Sequence, residues 1–73
     1  MDLAEIFVEL LGEDTQSWRP VAAQRLGSGL FRIVGTVPED EVWRFQPGQT
    51  VRCAEHSFAD GSCGPVAVER ADA

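Results

Sequence analysis

The sequence predicts an all-β fold, a small antiparallel barrel of about five to six strands with SH3-like architecture. Three features carry that expectation. Short runs of strand-favouring residues alternate apolar with polar positions along most of the chain. Turn signals built on Gly or Pro recur at intervals of roughly ten residues. After the first dozen or so residues, no stretch keeps a helical period.

The 73 residues are read as one domain, ordered from about residue 4 to about residue 70. A core of this size supplies only ~3–5 kcal/mol, so every large apolar residue should be used. Ile6 to Leu11, beginning near residue 4, reads as the first strand. Ile6, Val8 and Leu10 then share one face, and Phe7, Glu9 and Leu11 the other. Leu3, Phe7, Leu10 and Leu11 also have helical spacing, so a short helix from Asp2 is the alternative to that strand. Gly12 to Ser17 is polar and loop-like.

Trp18 to Leu26 is the second strand. Pro20 donates no ladder bond and belongs at the strand start or on an edge. Gly27-Ser28-Gly29 is a hairpin signal, read as a three-residue loop with Gly29 left-handed. Leu30 to Val34 follows as the third strand. That loop sets Ala23 opposite Ile33, Gln24 opposite Arg32 and Arg25 opposite Phe31. Val21, Ala23, Phe31 and Ile33 then form one face, assigned to the core.

Thr36 to Glu41 reads as a loop with an acidic tip, and Val42 to Phe45 as the fourth strand. Trp43 and Phe45 share its inward face. Gln46-Pro47-Gly48-Gln49 has the chemistry of a type II turn: Pro fixes φ at the second position and Gly accepts positive φ at the third. Thr50 to Ser57 and Pro65 to Arg70 are the last two strands, joined through an Asp60-Gly61 turn. That turn sets Arg52 opposite Glu69, Cys53 opposite Val68 and Cys63 opposite Phe58. Val51, Cys53, Val66 and Val68 are then expected to face inward. Ala71 to Ala73 are expected to fray.

Charge narrows the function. Twelve acids against six bases give a net charge of −6. That argues against nucleic-acid binding through a basic face and against attraction to an anionic membrane. Met1 to Glu5 lacks the basic start of a secretory leader, Glu9 interrupts the first apolar run, and no apolar run approaches a membrane span. A cytoplasmic location is expected. The two cysteines make no disulfide framework and are read as free, with Cys53 a small buried hydrophobe.

Candidate sites are few. Cys53, His56 and Cys63, with Asp60, could supply zinc ligands, but positions 53 and 56 of one strand point to opposite faces. No metal or cofactor is therefore expected. A Cys and a His without a third orienting group, in a chain too short for a deep cleft, do not make a nucleophilic enzyme. What remains is surface: the acidic tip Glu39, Asp40 and Glu41, with Trp18 and Arg19, residue types found at interaction hot spots. Trp18 is otherwise read as a lid over the barrel end. The leading expectation is a non-enzymatic protein-interaction module, monomeric or weakly self-associating, that meets a protein partner through Trp18, Arg19, Glu39, Asp40 and Glu41. An acidic regulatory or inhibitory protein of phage or toxin type, mimicking nucleic-acid charge, is the competing class. A metal-binding protein is the third.

The residues Thr15-x-x-Trp18-Arg19-Pro20-Val21-x-Ala23, Gly29-Leu30-Phe31-Arg32-Ile33 and Pro38-Glu39-Asp40-Glu41-x-Trp43-x-Phe45-x-Pro47-Gly48-x-x-Val51-Arg52-Cys53 resemble a group of small uncharacterised bacterial proteins. The resemblance spans most of residues 6 to 69 and implies no activity. To SH3 domains the likeness is architectural alone, because the chain has no Tyr to line a peptide groove.

Overall fold

The structure is a computed structural model, and it describes residues 3–71. Five strands form a closed barrel: β1 (Leu3–Leu10), β2 (Ser17–Gly27), β3 (Leu30–Ile33), β4 (Thr50–Ser57) and β5 (Cys63–Arg70). Neighbours in sequence are antiparallel neighbours in the sheet. An odd number of strands joined up and down leaves the first and last pointing the same way. The ring therefore closes on a parallel pair, with Phe7 beside Val66. The first element is a strand throughout its described length, which settles it against the helix; Asp2, where that helix would start, lies outside the described residues.

The core follows the alternation. Ile6 and Val8 from β1, Val21 and Ala23 from β2, Phe31 and Ile33 from β3, Val51 from β4 and Ala67 from β5 are buried together. The β2–β3 register is the expected one: Ala23, Gln24 and Arg25 pair with Ile33, Arg32 and Phe31. Nearer the turn the expected three-residue loop gives way to a two-residue one, Ser28-Gly29: Gly27 pairs with Leu30, and Leu26 is left as a bulge. Gly29 has a φ of +73°, the left-handed value its place in the turn demands.

Two larger expectations fail as well. Val42 to Phe45 is not a strand. It makes a single bridge, Trp43 to Leu10, flanked by Leu11 N–H to Val42 C=O (2.8 Å) and Arg44 N–H to Glu9 C=O (2.9 Å). The segment lies across the end of β1 and closes the barrel mouth. Trp43 and Phe45 still share the buried face and join the core. The turn after them is the expected one: Gln49 N–H bonds Gln46 C=O at 3.2 Å, and Gly48 has a φ of +91°.

The β4–β5 register is the second failure. Phe58 N–H bonds Ser62 C=O (2.8 Å), leaving three residues in the loop rather than two, with Gly61 left-handed. Pairing near the turn slips by one residue: Cys63 faces Ser57, and Cys53 faces Ala67. A bulge at Val68 restores the expected Arg52–Glu69 pair, whose side chains lie 3.2 Å apart. As one consequence, Ala67 points inward in place of Val66 and Val68. Val68 is 41% exposed, and Val66 is buried outside the core cluster. At the chain end, where fraying is expected from Ala71 on, Ala71 N–H still bonds Thr50 C=O (2.9 Å); Asp72 and Ala73 lie outside the described residues.

Candidate interaction surface

Adjacent residues of a strand point to opposite faces, and this divides the expected patch. Trp18 and Arg19 begin β2 side by side. Trp18 turns outward and packs against His56 (ring centroids 4.8 Å) and Phe58 (5.3 Å). Phe58 in turn stacks on Phe7 (4.9 Å). These rings lie over the seam where β1 meets β5. Gly64 sits beneath them: a Cβ there would come within 2.7 Å of the Phe7 ring. Trp18 is thus part of a half-buried outer layer, not a lid over the barrel end. The register alone puts Phe7 outward beside Pro20 and Val66. The loop length that brings Phe58 onto Phe7 is the feature misread from sequence.

Arg19 turns the other way, to the barrel mouth. Its Nε donates to Glu41 Oε1 at 3.0 Å, and its Nη2 meets Glu41 Oε2. Trp43 Nε1 donates to the same Oε1 at 2.9 Å. Glu41 is consequently only 10% exposed in its side chain, against 46% for Arg19. Of the three acids at the tip, Glu41 is a structural tie between the β3–β4 connection and β2. Glu39 and Asp40 remain exposed. The other acidic pair, Glu13 and Asp14, is exposed in the β1–β2 loop.

Between β2 and this connection lies an open groove of about 380 Å³. Its origin is a mismatch of strand lengths. β1 covers β2 from Ser17 to Gln24, but the β3 ladder begins only at Ala23. The last bond on that side is Val34 N–H to Ala22 C=O, at 3.1 Å. Beyond it, Arg19 to Val21 have β1 on one side and no strand on the other. Pro20 falls on this open edge, where its missing N–H breaks no ladder. The connection swings out through Gly35, at a φ of +100°, and returns by a turn in which Glu41 N–H bonds Pro38 C=O (3.1 Å). Pro20, Ala22, Val34 and Pro38 give the groove apolar walls; Arg19, Glu41 and Trp43 line its inner end, and Asp40 its rim. Glu39 is outside it.

The cysteines and His56 do not converge. Cys53 packs against the core, His56 lies among the outer rings, and Cys63 Sγ is 3.6 Å from Ser57 Oγ. Burial pushes the Cys53 thiol up to about 11, so it stays protonated at neutral pH. The hydroxyl and backbone N–H of Ser62 both donate to Asp60 and hold its carboxyl below the usual range. Among the described residues, no three His, Cys, Asp or Glu side chains are placed to hold a metal ion. No helix among them is long and apolar enough to cross a membrane. No family model, curated protein or solved structure matches the chain.

Proposed function

We propose that the protein is a non-enzymatic interaction module of a bacterial cytoplasm, and that its partner enters the groove between β2 and the β3–β4 connection. The observation that carries this reading is the groove itself. It is a preformed, apolar-walled cleft beside an unpaired strand edge, and its inner end is fixed by the Arg19–Glu41–Trp43 network. A rigid frame around an open apolar cleft lowers the ordering cost of binding. The patch expected at Trp18, Arg19, Glu39, Asp40 and Glu41 is thereby redrawn. Arg19 and Glu41 shape the cleft, Asp40 faces the ligand, and Trp18 belongs to another face.

The nucleic-acid mimic is the weaker reading. Arg19, Arg44 and Arg52 sit in ion pairs with Glu41, Glu9 and Glu69, which interleaves positive charge with the acids. A mimic needs an uninterrupted negative face.

The test is capture from a bacterial lysate on immobilised protein, with Ala22→Trp as the blocked form. Ala22 lines the groove and lies outside the core, so the larger side chain fills the cleft without disturbing the barrel. A partner retained by the native protein and lost by Ala22→Trp supports the proposal. Equal capture by both forms overturns it.

A further inference from the structure

We infer that the groove takes an extended basic segment of the partner, a Lys or Arg side chain meeting Asp40 while apolar neighbours lie along Pro20, Val34 and Pro38. This inference rests on the reading that the groove is the interaction site.

Shape sets the first limit. A cleft of about 380 Å³ admits a few side chains of a single strand-like segment, not a folded domain. The open edge of β2 favours an extended chain beside it. Pro20 withholds one ladder donor, so backbone pairing there is incomplete and side chains must do more of the selecting.

Charge sets the second limit. The ionisable groups lining the groove are Arg19, Asp40 and Glu41. Arg19 and Glu41 neutralise each other through two contacts. Asp40 is left uncompensated at the rim, with exposed Glu39 next to it in a chain of net charge −6. An acidic segment is repelled by the rim and by the whole molecule; a basic one is attracted by both. The half-exposed Arg19 is the one feature that would welcome a carboxylate, so an acidic ligand is the rival occupant to test.

The experiment is NMR on the ¹⁵N-labelled chain, titrated with the peptide Val-Arg-Val-Arg-Val and with its twin carrying Glu for Arg. The two indole N–H signals separate the two faces, since Trp43 lines the groove and Trp18 does not. The expected result is a saturable shift of the Trp43 indole and of the Gly35 and Thr36 amides with the basic peptide, while the Trp18 indole stays still. The acidic twin moves neither. Asp40→Asn, a change at an exposed position, weakens binding by about two- to fivefold, the range of an exposed ion pair. Four results would overturn the inference: no shift with the basic peptide, equal or stronger binding of the acidic twin, full affinity in Asp40→Asn, or shifts confined to Trp18. If the basic peptide fails while Ala22→Trp still abolishes capture, the groove is the site and its occupant is not basic. If Ala22→Trp captures normally, the interaction reading has failed as well.

Discussion

Cys53 shows what one position owes to its surroundings. Its thiol is pushed from 9.0 to about 11 because half-burial against the core disfavours the thiolate. Below pH 9 the folded and unfolded chains both hold the proton. Between pH 9 and 11 the unfolded chain releases it and the folded chain does not, so stability falls as pH rises through that window. The sequence makes this measurable. It has no Tyr and its six bases are all Arg, so no phenol or lysine amine titrates in that window beside Cys53. In a Cys63→Ser background, urea midpoints should decline from pH 9 to 11, and Cys53→Ala should flatten that decline. An equal decline in both would mean that Cys53 is not the group responsible. At the same scale, Glu41 was legible as an acid at a loop tip but not as a tie. Recognising it requires knowing that Arg19 points to the barrel mouth and that the Trp43 indole, 5% exposed as a residue, needs an acceptor.

Among the elements, alternation made β1, β2, β3 and β4 readable to within a residue or two, because each buries one face and exposes the other. The misreadings occurred where pattern and pairing part company. Val42 to Phe45 alternates like a strand, and its alternation correctly buries Trp43 and Phe45. Its backbone finds only one bridge, since β3 and β4 already pair with each other. The β4–β5 register turned on loop length: a three-residue loop and a compensating bulge leave Arg52–Glu69 intact while exchanging Val68 for Ala67 inside. The groove could not be read at all, because it arises from where β3 stops relative to β2.

The two tryptophans separate the inner layer from the outer one. Trp43 lies in the core and closes the barrel mouth, so Trp43→Ala should cost about 3–5 kcal/mol, comparable to the whole stability of a chain this size. Trp18 packs in the outer layer against His56 and Phe58. Trp18→Ala should leave a folded barrel weakened by about 1–2 kcal/mol, given ring contacts worth ~0.5–1.5 kcal/mol each. Urea unfolding of both variants checks this. The reverse order of effects would exchange the two layers.

For the whole molecule, everything argued about the groove depends on closure. The ring is completed where β1 and β5 run parallel, with Phe7 beside Val66, and the outer rings cover that seam. β1 joins this seam to the groove: it pairs with β2 along one side, and its end bonds the 42–44 segment next to Glu41. Three Glu–Arg pairs set opposite charges side by side, which eases the self-repulsion of a chain that carries a net charge of −6. The most direct measurement is a nuclear Overhauser spectrum of the free protein. Closure predicts cross-peaks between the backbone protons of Phe7 and Val66 and between the Phe7 ring and the Gly64 α-protons, alongside those joining Leu10 to Trp43. A spectrum with the four antiparallel pairings present and the Phe7–Val66 and Phe7–Gly64 cross-peaks absent would contradict the closed barrel and the frame of the groove with it.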